Sequence, residues 1–205
     1  MSFGLWRNWA IYLEPIEGIM LGPWLGFSAA FIGGILARTV KPTELWMFGI
    51  IAEPMGALSC GLLAKKQWKP LMVVYAAMLG AYFAHPFGRW FPLWTILDIL
   101  IALLLIYPAT KMFKTLFEED VKRLPISLAL VSFIGTVTDS LTRVFLLIPA
   151  GLYTLFAWSP EAVYLIFVTG AIDSYIEDLL VVVVSCLVGV PLLMALRRIL
   201  KYPLS

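Results

Sequence analysis

Long apolar stretches separated by short polar turns make up most of the chain. Because an apolar helix needs about 20 residues to cross a bilayer, we predict six membrane-spanning helices. They are placed at residues 22–40, 45–64, 70–84, 91–112, 124–143 and 179–196. The first 21 residues mix tryptophans with charged residues, a composition typical of the membrane interface. We predict that this segment lies there or is half inserted.

The chain stays apolar from Leu124 to Phe156, which is too long for one untilted span. We therefore end the fifth span at residue 143 and predict that residues 144–170 form an apolar hairpin. The turn of this hairpin is expected at residues 158–161, where Trp-Ser-Pro-Glu interrupts the apolar run.

Composition narrows the class of protein. Of 205 residues, 61% are hydrophobic and 14% are charged, whereas soluble domains carry about a quarter of charged residues. We predict an all-α membrane protein with a single integral membrane domain, residues 1–205. Lysine and arginine concentrate in the loops after the second and fourth spans and in the C-terminal tail. Basic residues favour the cytoplasmic side, so we expect a multi-pass protein of the cell membrane with both termini in the cytoplasm.

Small residues recur every four positions along the first predicted span. They are Gly22, Gly26, Ala30 and Gly34. Because spans associate in lipid through close approach at small residues, this row predicts a tight helix contact. The partner helix belongs either to the same bundle or to a separate membrane subunit.

Charged residues inside spans are costly and are candidates for function by default. They gather toward the predicted outer side, with aromatic residues around them. A carboxylate-rich, aromatic-walled pocket open to the outside suits an amine or a ring cation. The candidate substrate-binding residues are Glu53, Asp98, Asp139, Arg143, Asp173, Glu177, Trp94 and Tyr175.

Structural interpretations of the same residues remain open. Asp139 and Arg143 are four apart on a helix and can pair with each other. Glu53 precedes Pro54 and can bond to backbone groups that the proline frees. Trp94 and Tyr175 can belong to the aromatic belt of the membrane interface.

Motifs for catalysis are missing from the sequence. It contains no nucleophile motif, phosphate-binding glycine loop or paired metal ligands. We therefore expect no enzyme activity, no cofactor, no metal site and no nucleic-acid partner. Cys60 and Cys186 lie in apolar runs and are expected to be ordinary buried thiols.

Three segments carry a resemblance to a known family. LGPWLGFSAAFIGG from Leu21, EPMGALSCGLLAKK from Glu53 and IEDLLVVVVSCLVGVPLLMALRR from Ile176 resemble the substrate-binding S components of energy-coupling factor (ECF) transporters. The resemblance implies a bundle of roughly six spans that captures a vitamin or similar small nutrient from outside. It also implies a transmembrane coupling subunit and two cytoplasmic ATPases as partners. The small-residue row would contact the coupling subunit, and residues 144–170 would form the lid.

Two other classes compete with this one. A self-assembling structural or channel-like bundle would use the small-residue row to oligomerise and would need no substrate. A small intramembrane enzyme is the third class, and it has the least support because the catalytic motifs are missing.

Overall fold

The described part of the protein is helical. A computed structural model describes residues 9–40, 45–112 and 123–201, with side chains described from residue 11 to residue 196 within those ranges. No strand occurs in these ranges. The helices are α1 (Glu14–Leu21), α2 (Pro23–Val40), α3 (Trp46–Ala64), α4 (Trp68–Ala84), α5 (Pro86–Trp90), α6 (Leu97–Met112), α7 (Leu124–Leu147), α8 (Leu152–Leu155) and α9 (Pro160–Lys201). Short 3₁₀ turns lie at Trp9–Tyr12 and Leu93–Ile96.

Five stretches of the described chain are long and apolar enough to cross a membrane. They are Pro23–Val40, Trp46–Ala64, Leu93–Met112, Leu124–Leu147 and Pro160–Leu196. The 17-residue α4 is apolar but shorter. These helices are those of a multi-pass membrane protein and agree with the predicted all-α fold.

Helices α3 and α7 form the centre of the bundle. Two-thirds of the spanning stretch is buried in each, compared with 22% in α2 and in α9. Their interface carries the main core, which α4, α6 and the first turns of α9 complete. Because α2 and α9 expose most of their apolar surface, they lie at the periphery, where lipid solvates such side chains.

The segment before α2 packs into the bundle rather than lying at its surface. Glu14, Pro15, Ile16 and Gly18 are all buried, and α1 runs alongside α3, with Gly18 against the carbonyl of Ala57. Its eight residues span only about 12 Å. Helix α1 therefore belongs to the packed bundle, and whether the segment is interfacial or half inserted in a membrane stays a prediction. Residues 1–8 lie outside the described ranges.

The chain reverses between α1 and α2 at a single glycine. Gly22 has φ +81°, a conformation that L side chains rarely adopt. Pro23 then opens α2, where its missing N–H costs nothing. This sharp reversal lays the start of α2 back against α1 and α3.

The C-terminal region differs from the predicted hairpin and separate last span. Helix α7 continues to Leu147, and α9 runs without interruption from Pro160 to Lys201. The predicted returning arm and the span at residues 179–196 are therefore one helix. Asp173, Glu177 and Asp178, which precede the predicted last span, lie inside α9, because carboxylates do not end a helix in the way that proline or glycine does. Of the turn predicted at residues 158–161, residues 158 and 159 lie outside helices, whereas Pro160 and Glu161 begin α9.

Candidate functional site

A buried ion-pair network joins three helices near the centre of the bundle. Arg38 of α2 donates through Nη2 to Glu53 Oε1 of α3, and both side chains are at least nine-tenths buried. Arg143 of α7 lies 3.7 Å from the same Glu53 oxygen. Glu53 is therefore shared by two guanidinium groups, and its main partners are cations rather than backbone groups freed by Pro54.

Asp139 and Arg143 form the pair that their spacing predicted. Arg143 donates through Nε to Asp139 Oδ2 at 2.7 Å and through Nη2 to Oδ1 at 3.1 Å. Two parallel bonds of this kind fix the guanidinium plane. Asp139 is fully buried, so this pair is part of the packed core.

A third carboxylate, Glu14 of α1, lies beside this network. Its side chain packs against Gly56 of α3. If Gly56 carried a side chain, the Cβ atom added there would lie 2.8 Å from Glu14 Oε2. Glu14 also interacts electrostatically with Arg143. On the α2 side, an added Cβ at Gly49 would lie 2.1 Å from Arg38 Nη2. Glycines on α3 thus make the space that the buried charges occupy.

The network largely compensates its own charge. Three carboxylates, from Glu14, Glu53 and Asp139, face two guanidinium groups, from Arg38 and Arg143. Buried charges require such partners because desolvation is expensive. These residues therefore hold α1, α2, α3 and α7 together.

A second polar group, the carboxylate pair, lies between α6 and α9. It consists of Asp98, which is 5% exposed, and Asp178, which is 3% exposed. The two carboxyl groups lie within hydrogen-bonding reach of each other. Asp98 is the second residue of α6, so the pair lies toward the end of the bundle that carries the α4–α5 connection.

Hydroxyl groups extend the carboxylate pair toward α7 and α4. Ser174 Oγ lies 3.5 Å from Asp98 Oδ2 and 3.1 Å from Ser140 Oγ. The buried Tyr75 hydroxyl interacts electrostatically with both carboxylates and lies 3.0 Å from Thr138 Oγ1. Helices α4, α6, α7 and α9 therefore all contribute oxygen atoms to one region.

The chemistry of this region suits a cation. No lysine or arginine within the described residues forms an ion pair with Asp98, and its Oδ1 lacks a hydrogen-bond partner among them. Carboxylates and hydroxyls in a low-dielectric site attract ammonium groups and similar cations. No group of three or more metal-ligating side chains occurs within the described ranges.

The other predicted site residues occupy different positions. Glu177 is buried and Asp173 is half-buried on α9, but the α9 carboxylate that faces Asp98 is Asp178. The Tyr175 hydroxyl donates to the backbone carbonyl of Trp94. Trp94 and Tyr175 therefore fasten α9 to the turn before α6, next to the carboxylate pair.

The small-residue row faces helices of this chain. Gly22 and Gly26 are buried, and an added Cβ at Gly26 would lie 3.1 Å from the Gly18 Cα. Gly34 lies under the Arg38 guanidinium, and Ala30 is partly buried. Gly22 and Gly26 thus pack within this chain, and a contact of the row with a separate subunit stays a prediction.

Three residues of these two polar groups are not among the predicted substrate-binding residues: Glu14, Arg38 and Asp178. A signal existed for Arg38, because it continues the four-residue spacing of the row after Gly34. Glu14 lies in a segment too polar to be taken for a buried helix. Asp178 is adjacent to Glu177, and only the rotation of α9 decides which of them faces α6.

Comparison with known proteins leaves the family open. No family model matches the chain, and no solved structure matches it. It is similar to the uncharacterized protein MJ0923 of Methanocaldococcus jannaschii, with 26% identity over 131 residues. The match covers 63% of this chain and 44% of that protein, so it spans less than half of the relative's length. This likeness carries no function to the chain.

Proposed function

We propose that the protein captures a small cationic nutrient from outside the cell, as the S component of an ECF-type importer. The observation that carries the proposal is the buried Asp98, which forms no ion pair with a described lysine or arginine and lies beside Asp178 and several hydroxyl groups. Buried carboxylates inside an apolar bundle are costly. A bound cation would compensate that cost and give the pair a function.

The proposal includes the orientation of the bundle. With six spans and both termini in the cytoplasm, the lysines of the α3–α4 turn lie on the cytoplasmic side. The start of α6, with Asp98, then lies toward the outside, where nutrient arrives. A vitamin-like amine would place its ammonium group between the carboxylates and its apolar part against nearby aromatic rings.

Transport would depend on the partners that the ECF resemblance implies. A transmembrane coupling subunit and two cytoplasmic ATPases would supply the movement and the energy. Because Gly22 and Gly26 of the small-residue row pack within this chain, we assign the coupling contact to the opposite face of α2. Trp24, Leu25, Ile32 and Leu36 are all exposed on that face.

Native mass spectrometry of gently purified protein tests this function. We expect a monomer carrying a small positively charged compound, which Asp98→Asn and Asp178→Asn each release. Asparagine keeps the shape of the side chain while removing its charge. The matched control is Glu161→Gln, which removes an exposed carboxylate of the same α9. Retention of the compound by both asparagine variants would refute the proposed site.

A self-assembling structural bundle is the second candidate, and the ion-pair network favours it. The network compensates its own charges and stabilises the bundle without a ligand. The same mass spectra distinguish the two functions. An empty homo-oligomer that keeps its subunit number in the Asp98→Asn variant would support the structural function.

A further inference from the structure

A pair of aromatic rings joins α4 and α6 at the end of the bundle that carries the α3–α4 turn. Trp68, the first residue of α4, meets Tyr107 of α6 edge to face, with ring centroids 5.3 Å apart. Trp68 also packs against the main core. This aromatic pair therefore has a fixed position at the level where two apolar helices end.

Two lysine side chains flank the aromatic pair. Lys69 Nζ lies 6.0 Å from the Trp68 ring, and Lys111 Nζ lies 4.6 Å from the Tyr107 ring. A contact between a cation and an aromatic face orients an ammonium group at an exposed site but does not neutralise it. Each ammonium group keeps hydrogen atoms to donate to an anion.

These two lysines have no carboxylate partner within the part of the chain that the structure describes. Both side chains are exposed, as is Lys66 of the adjoining turn. Lysines at the ends of apolar helices extend into the headgroup layer of a bilayer. An uncompensated pair of positive charges at this level is therefore available to an anionic group of the membrane.

Exposed apolar side chains follow the lysines along α4 and α6. Val73, one helical turn from Lys69, is 67% exposed, and Leu104, one turn from Tyr107, is 75% exposed. At Gly80, further along α4, an added Cβ would meet no atom within 4 Å. A molecule with an anionic head and an apolar tail would contact both the lysines and the apolar residues. A free phosphate ion would contact only the lysines.

We propose that Lys69, Lys111 and the Trp68–Tyr107 pair bind the phosphodiester headgroup of an anionic phospholipid, whose acyl chain lies along α4 and α6. The ammonium groups would bind the phosphate oxygens, and the rings would support the glycerol region. This lipid site does not depend on the proposed transport function, because it lies at the other end of α6 from Asp98.

Lipid titration followed by native mass spectrometry tests the site. The purified protein is titrated with phosphatidylglycerol or with phosphatidylcholine of the same acyl chains. We expect preference for phosphatidylglycerol, and a loss of about 30-fold in its affinity in the Lys69→Gln/Lys111→Gln variant, because two lysine contacts are lost. The matched control, Lys65→Gln/Lys66→Gln, removes the same number of charges from the adjoining α3–α4 turn and is expected to keep the preference.

Three outcomes would overturn the lipid site. Equal loss in both double variants would show general attraction by the basic turn. Equal affinity for the two lipids would show that the headgroup charge is not recognised. Displacement of phosphatidylglycerol by millimolar inorganic phosphate would show that a free anion, rather than a lipid, occupies the lysines.

Discussion

At the scale of single residues, Glu53 is the charge on which its neighbours depend. Its carboxylate lies between Arg38 and Arg143, and Arg38 is 8% exposed. Removing one member of a buried ion pair is more costly than replacing the whole pair, because the remaining charge stays desolvated. Glu53 thus stabilises the fold by compensating the buried charges of Arg38 and Arg143.

Glu53→Gln is expected to lower the free energy of unfolding by about 3–5 kcal/mol. The amide keeps the size of the side chain but leaves Arg38 without its anionic partner. Thermal unfolding in mild detergent measures the effect. Glu161→Gln serves as the control, because Glu161 is exposed and its loss should cost little. A Glu53→Gln variant as stable as this control would contradict the network.

At the scale of helices, the α1–α2 hairpin depends on close backbone contact with α3. An added Cβ at Gly61 would lie 2.4 Å from Pro23 N and 2.6 Å from Pro23 Cα. Such contacts involve backbone atoms, which cannot rotate away. Close approach of helices through glycine is a common means of association in lipid, and here it fastens a short helix that could not cross a membrane alone.

Gly61→Ala is expected to destabilise the protein by about 1–3 kcal/mol, the usual cost of overpacking. Inside a helix, alanine normally stabilises the protein by about 1 kcal/mol relative to glycine. A loss of stability in Gly61→Ala would therefore indicate the close contact with Pro23. Gly33→Ala on α2 is the matched control, because nothing lies within 4 Å of its added Cβ. Unfolding in detergent should separate the two variants. Equal stabilisation of both would show that α3 does not touch Pro23 so closely.

At the scale of the whole molecule, α9 is longer than a bilayer requires. Its 42 residues extend about 63 Å, twice the roughly 30 Å of the hydrocarbon core. An aromatic cap, Phe87, Trp90, Phe91, Tyr164 and Phe167, fastens its first turns to the α5 region. Phe91 and Phe167 stack at 4.5 Å within this cap. The cap therefore holds the start of α9 in place above the carboxylate pair.

Phe91→Ala is expected to release the first turns of α9 while the rest of the helix stays packed. Deleting a buried phenyl ring costs about 3–5 kcal/mol, and the lost contacts lie only at this end. Hydrogen exchange should rise at residues 160–170 and stay unchanged at residues 181–193.

Phe31→Ala is the control for this experiment, because Phe31 stacks only with Phe27 of its own α2 among the aromatic contacts described. It should change exchange at neither end of α9. Uniform exchange along α9 in Phe91→Ala would mean that the cap does not act locally.

The sequence alone determined the features that depend on local chemistry. Apolar composition predicted the membrane helices, because hydropathy follows from each side chain without knowledge of its neighbours. The four-residue spacing of Asp139 and Arg143 predicted their pair, since a helix places such residues on one face. The position of the turn before Pro160 followed from a proline that suits the first turn of a helix.

The tertiary structure decided which distant groups meet. Arg38 pairs with Glu53, and Asp178 rather than Asp173 faces Asp98, because the rotation and tilt of each helix set its contacts. The same holds for the small-residue row, whose spacing predicted a close contact but not its partner. Hydropathy and periodicity describe one helix at a time, whereas contacts between helices depend on their relative placement in the bundle.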